Sequence, residues 1–153
     1  MTKQKIFEKI QEQIRQEIYP GASLALYQAG QWREFYFGLA DPQERKVTQA
    51  GLVYDLASVS KVVGVGTLAA FLYEQGKLDL DLPLQHYYPD FHREDVTVRQ
   101  LLTHTSGLDP FIPNRDQLTA PELKEALNHL TVLEDKTFRY TDVNFLLLGF
   151  MLE

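Results

Sequence analysis

The chain has no cysteine, so disulfides and thiolate-bound metals are excluded, which fits a reducing compartment without requiring one. It has no run of lysine and arginine, and its net charge is −6. Both facts argue against a surface built to neutralise nucleic-acid phosphates. The apolar run near the end, 145-FLLLGFML-152, falls far short of the roughly 20 residues that cross a bilayer, so no membrane span is expected. The N-terminal MTKQKIFEKIQEQIRQ alternates charged and apolar residues and lacks the apolar centre of a secretory signal, which makes the cytoplasm the default location. Neither G-x-x-x-x-G-K-[ST] nor G-x-G-x-x-G occurs, and Gly64 and Gly66 sit inside a helical pattern rather than a phosphate-binding loop. The four histidines, at 86, 92, 104 and 129, show no metal-ligand spacing with a carboxylate. No cofactor and no metal are expected.

What is present suits one globular domain: 153 residues, 44% hydrophobic and 24% charged. Ile6, Ile10, Ile14 and Ile18 recur every four residues and predict an amphipathic helix from about Lys3 to Glu17, stopped by Pro20-Gly21. Segments 22–28 and 31–40 read as a hairpin turning at Ala29-Gly30, and the polar 41–51 as a loop. A helix follows Ser58, with Val59, Val62, Val63, Leu68, Ala69 and Leu72 as its apolar face and Gly76 as its stop. Residues 77–91 form a proline-punctuated connection with one short helix. Thr97 with Gln100, and Thr119 with Glu122, have the spacing of capping boxes that open two further helices, the second running to about Leu130. Thr141 or Asp142 caps a last helix, 143–153, apolar nearly all round and therefore in need of burial. The fold class is α+β: one helix, an antiparallel β-hairpin, then a mostly helical part.

Three places could carry chemistry. In 55-DLASVSK-61, Ser58 and Lys61 lie one helical turn apart on one face. A helix N-terminus, apolar neighbours and loss of water would each lower the lysine pKa, letting a neutral amine take the serine proton. Backbone N–H groups of the same turn could receive an oxyanion. The plain alternative is a capping serine followed by a lysine whose head reaches water. In 138-FRYTDVNFLLLG-149, Tyr140 precedes a buried helix, with Asp142 and Asn144 close behind; a phenol near an ammonium can ionise and relay protons, or merely pack at a helix entrance. In 100-QLLTHTSGL-108, His104 is better suited to holding a tight turn with Thr105, Ser106 and Gly107 than to a catalytic triad.

Taken together and in this order, DLASVSK, LLTHTSGL and FRYTDVNFLLLG resemble the penicillin-recognising serine hydrolases of the class C β-lactamase type. That group includes D-alanyl-D-alanine carboxypeptidases and β-lactamase-like esterases. PGASLALYQAGQ and GKLDLDLPLQHYYP match the same family's habit, so the resemblance covers residues 3 to 153; single motifs are weakly specific, but three ordered ones are strong. The resemblance implies a β-lactamase/DD-peptidase-like fold with Ser58 as acylated nucleophile, Lys61 as general-base partner and Tyr140 as second proton carrier. Whether Lys61 or Tyr140 takes the serine proton is left open by it. Asp142 stands where the family's Y-x-N element has asparagine, and with Asn144 it is expected to contact substrate. An aspartate cannot donate an amide hydrogen bond, which tilts the expected substrate from β-lactams toward D-alanyl peptides or small esters.

The family's K-[ST]-G or H-x-G strand has no counterpart in the sequence: Lys136-Thr137 is followed by Phe138, and after His104 the glycine comes one place late. The chain is therefore expected to be a single incomplete domain, with a helix-and-hairpin part over 1–57 and a helical part over 58–153, lacking the C-terminal strands and helix. Little turnover is expected from it alone. The expected partners are a small-molecule or peptidoglycan-peptide substrate, no nucleic acid, and a second copy through the exposed strand edge and the C-terminal helix. The competing expectations are a non-catalytic interaction module and an unrelated helical binding domain.

Overall fold

Thr2 accepts a hydrogen bond from the Lys5 N–H and opens α1, Lys3–Arg15, in a computed structural model that describes residues 2–153. The helix stops two residues before the expected Glu17, because Glu17 takes a left-handed conformation (φ 57°) that turns the chain out of it. Ile18, counted from the four-residue spacing as part of the apolar face, lies past that turn and is exposed.

The chain divides into two compact units between Asp55 and Leu56. In the first, β1 (Gly21–Gln28) and β2 (Gln31–Asp41) pair antiparallel, from Gly21 opposite Gly38 to Gln28 opposite Gln31. Ala29 and Gly30 both have positive φ, 50° and 78°, as a two-residue turn matching the strand twist requires. The expected loop after β2 contains a short strand, β3 (Lys46–Val47), whose Val47 pairs with Leu39 across a bulge. The sheet order is β1-β2-β3, so part of the edge expected to be open is covered. Phe7 of α1 packs edge-on against Phe35 and Phe37 of β2, with ring centres 4.6 and 5.2 Å apart.

In the second unit, α2 (Val59–Lys61), a π-helical turn (Val62–Gly66) and α3 (Thr67–Glu74) follow one another. A continuous α-helix was expected here. Three valines and two glycines in succession are poor helix formers, and the turn widens at this point. Gly76, at φ 68°, closes the run as anticipated. Then come α4 (Leu84–Tyr87), α5 (Val98–Leu102), a 3₁₀ turn (Arg115–Gln117), α6 (Ala120–Asn128) and α7 (Asp142–Leu152). Both capping pairs form. Thr97 and Gln100 exchange side-chain and backbone hydrogen bonds, and the Glu122 carboxylate reaches back to the Thr119 N–H and hydroxyl.

Among the described residues, the fully buried apolar side chains all lie in this second unit, from Ala69 to Leu148. The uniformly apolar α7 finds its burial here: Val143, Phe145, Leu147 and Leu148 are enclosed with Leu84, Phe91, Val98, Leu101 and Leu127. Burying an aliphatic side chain of this size is worth about 1.5–3 kcal/mol, which overrides the lack of amphipathic pattern. By contrast, Val59, Val62, Val63 and Leu68, read as core-facing, are exposed. Among the described residues no helix is long and apolar enough to cross a membrane.

Candidate active site

Ala57 has φ 44°, a left-handed conformation that costs an alanine about 1 kcal/mol or more. The chain turns sharply there, and Ser58 (φ −70°, ψ −9°) is delivered at the start of α2. The N–H groups of Val59, Ser60 and Lys61 are bonded to the carbonyls of Leu56, Ala57 and Ser58. These amides are thus committed to the turn, and the oxyanion role expected of the helix start does not fall to them. One turn on, Lys61 Nζ donates to Ser58 Oγ at 2.8 Å. The serine and lysine therefore meet as their spacing requires, on an exposed rather than a dry face.

The other side of the site comes from the segment entering α7. Thr141 caps the helix by accepting from the Val143 N–H at 3.4 Å, which settles which of the two candidates does so. This leaves Asp142 in the first turn, where a carboxylate is favoured by the helix dipole. Asp142 Oδ1 lies 3.0 Å from Lys61 Nζ, and its Oδ2 lies 4.0 Å from the Arg115 guanidinium. Tyr140 is half-exposed, its ring centre 5.8 Å from Lys61 Nζ. Ser58, Lys61, Tyr140 and Asp142 thus form one cluster around a single amine.

Asn144 is not part of that surface. It is 1% exposed; its Oδ1 accepts from Ser106 Oγ at 2.7 Å and its Nδ2 donates to His104 Nδ1 at 3.0 Å. Expected as a substrate contact, it is placed instead as a strut between the 104–107 turn and α7. His104 does hold a tight turn (φ 56°), and its ring lies 4.7 Å from Tyr140 and 5.3 Å from Phe145. Arg115, two residues past Pro113, carried no sequence signal; only the fold brings it near Asp142.

The electrostatics reverse one expectation. The Lys61 pKa is raised above the ordinary lysine value, chiefly because Asp142 accepts a hydrogen bond from the ammonium, with Tyr140 contributing in the same direction; partial burial opposes this and is the weaker influence. With its side chain 24% exposed, the amine keeps enough water that desolvation does not win against a carboxylate at 3.0 Å. His104 is shifted the other way, its pKa lowered by burial and by the Lys61 charge, with Asp142 opposing. Among the described residues no group of histidines and carboxylates could hold a metal ion.

The model of the family described as Beta-lactamase matches residues 6–153. A beta-lactamase from Providencia stuartii is 33% identical over 127 residues, covering 78% of this chain and 33% of its own length. A solved class C beta-lactamase superposes with a TM-score of 0.78 at 28% identity, over 97% of this chain and 43% of that one. The D-amino acid amidase from Ochrobactrum anthropi SV3, solved with D-phenylalanine, superposes with a TM-score of 0.72 at 25% identity, over 97% and 44%. The chain thus spans about a third of the length of the first of these relatives and less than half of the solved structures.

Proposed function

We propose that this chain, which belongs to the beta-lactamase family, forms an acyl-enzyme on Ser58 with amide or ester substrates. The observation that carries the reading is Lys61 Nζ held between Ser58 Oγ at 2.8 Å and Asp142 Oδ1 at 3.0 Å. A cation fixed on the serine oxygen aims its remaining lone pair and favours negative charge developing there.

In the proposed step, Ser58 Oγ attacks the substrate carbonyl carbon and its proton passes to the Tyr140 oxygen, a transfer that requires the phenolate form of that side chain beside the Lys61 ammonium. The tetrahedral adduct then collapses: the carbonyl–nitrogen or carbonyl–oxygen bond breaks, and Tyr140 returns the proton to the leaving amine or alcohol. Water later cleaves the Ser58 ester by the same route in reverse. Lys61 stays charged throughout, consistent with its raised pKa. Of the two proton acceptors, this reading selects Tyr140.

Asp142 accepts hydrogen bonds and carries charge, so a substrate offering a carbonyl oxygen at that position is disfavoured. D-amino-acid amides, D-alanyl peptides and simple esters suit it better than β-lactams bearing an acylamino side chain; the amide chemistry named for the Ochrobactrum relative supports that ranking. Acylation is the step to test. A fluorophosphonate should label the chain with one adduct, located by mass spectrometry on the peptide containing Ser58. Labelling should vanish in Ser58→Ala; labelling elsewhere, or labelling that survives Ser58→Ala, refutes the proposal.

A second reading, a module that binds a second copy of itself, is favoured by the exposed Val62 (62%) and Phe71 (57%). The C-terminal helix offers little for that purpose, being largely enclosed in its own unit. Light scattering across a concentration series separates the two: a monomer at all concentrations removes this reading.

A further inference from the structure

We propose that His104 is the positioning residue for Tyr140, gripping the chain on both sides of it. The inference rests on Tyr140 being the proton carrier for Ser58. The Arg139 N–H donates to the His104 carbonyl at 2.9 Å, and the Thr141 N–H points at His104 Nδ1 at 3.5 Å. Residues 139 and 141 are thus held by one residue, and Tyr140 between them projects from an extended segment, Thr141 having φ −155° and ψ 150°. The His104 ring also lies against the Tyr140 ring, with centres 4.7 Å apart.

Histidine suits this place for two separate reasons. The backbone at φ 56° admits few residue types; asparagine, aspartate and histidine are the non-glycine residues that tolerate it best. Two N–H groups, from Thr141 and Asn144 Nδ2, converge on Nδ1, so Nδ1 carries the lone pair and Nε2 the proton. Protonating Nδ1 would set a third N–H against those two donors. Ser106 completes the brace by holding Asn144 Oδ1 at 2.7 Å while accepting from the Leu108 N–H. The charged and titratable groups facing the ring are Lys61 from α2, Asp142 from α7 and Tyr140 itself; Asp135 and Arg139 line the small cavity beside it. Neutral His104 is therefore the form that grips, and acid should loosen Tyr140.

The test is the rate of Ser58 labelling by a fluorophosphonate against pH in wild type, His104→Asn and His104→Ala, with His104 titrated by NMR. Asparagine keeps both the tolerance for positive φ and an acceptor near the Nδ1 position, so its rate should stay within about threefold of wild type; alanine should be slower by about 10- to 100-fold, the range expected for a misplaced catalytic group. Wild type should show a component of its acid loss of labelling in step with protonation of His104, and His104→Asn should lack that component while keeping the loss that follows protonation of Tyr140. A folded His104→Ala that labels at the wild-type rate overturns the inference, as does a His104→Asn profile that matches wild type through the pH range in which wild-type His104 titrates. If His104→Ala does not fold, wild type against His104→Asn decides: no difference between their labelling profiles through the wild-type His104 titration overturns the inference. Failure of the hydrolase reading looks different, since wild type would then show no Ser58 adduct at any pH, and the positioning role would fall with it.

Discussion

Replacing Asn144 by alanine should destabilise the second unit by about 2–3 kcal/mol. The side chain is 1% exposed and makes two hydrogen bonds, at 2.7 Å from Ser106 Oγ and 3.0 Å to His104 Nδ1. Each such bond contributes about 1 kcal/mol net, and stranding the buried Ser106 hydroxyl without an acceptor puts the total toward the upper end of the range; the small cavity adds less than about 1 kcal/mol. With a urea m-value of about 2 kcal/mol/M for a unit of this size, the midpoint should fall by about 1–1.5 M. Helical circular dichroism is the right signal, because most of the helix lies after Asp55, whereas the single tryptophan, Trp32, lies in the hairpin unit. The double variant Ser106→Ala/Asn144→Leu should recover at most part of the loss: it removes the stranded hydroxyl, but it also takes the acceptor from the buried Leu108 N–H. A shift in Asn144→Ala below about 0.5 kcal/mol, the range of an ordinary surface substitution, would refute the buried network.

Three further outcomes follow from the geometry. Asp142→Asn should bring the Lys61 pKa down toward the ordinary lysine value, read from the Cε shift of Lys61 by NMR. Because the wild-type folded value is raised above 10.5, the Lys61–Asp142 contact stabilises the fold below that pH and is lost as pH rises through the folded value; wild type should therefore show an alkaline loss of stability that Asp142→Asn lacks. His104 works in the opposite sense: with its folded pKa below 6.5, the unfolded chain binds the extra proton first, so stability should fall as pH drops from 6.5 through the folded value, and the difference in melting temperature between wild type and His104→Asn should narrow over that window. Ala29→Asn should stabilise the hairpin unit by about 0.5–1 kcal/mol, because asparagine tolerates φ 50° better than alanine; Trp32 fluorescence during urea unfolding would register it.

The features that could be read from the sequence were those set by neighbours within a turn or two. Thr97 with Gln100, Thr119 with Glu122, and the Ala29-Gly30 turn carry their geometry in a few consecutive residues, and each forms as expected. Ser58 and Lys61 belong to the same category: i and i+3 on one helical turn meet whatever the rest of the chain does. The short β3 was missed because Lys46–Val47 has no strand pattern of its own and exists only by pairing with β2. The π-helical turn was missed because one residue more per turn leaves the apolar composition of 62–66 unchanged. Asn144 looked like a substrate contact from its place two residues after Asp142. Two residues further along a helix, however, is the opposite side, and that side faces His104 and Ser106.

The lysine shows what a local reading leaves out. From 55-DLASVSK-61 alone, a helix start and apolar neighbours argue for a neutral amine, since every influence named there disfavours the ammonium. The deciding group is Asp142, at 3.0 Å across the fold, and a carboxylate at hydrogen-bonding distance outweighs the desolvation of a side chain that still touches water. An amine held in that way cannot receive the Ser58 proton while Asp142 holds it. The proposed route therefore sends the proton to Tyr140, whose ring centre lies 5.8 Å from Lys61 Nζ; the competing route needs the carboxylate to move off when substrate arrives. The two routes separate in a pair of variants. If Tyr140 is the acceptor, Tyr140→Phe should reduce Ser58 labelling by about 10²–10⁴-fold, as loss of a general base does, and Asp142→Asn should not restore it. If Lys61 is, Asp142→Asn should accelerate labelling, and Tyr140→Phe should slow it only slightly.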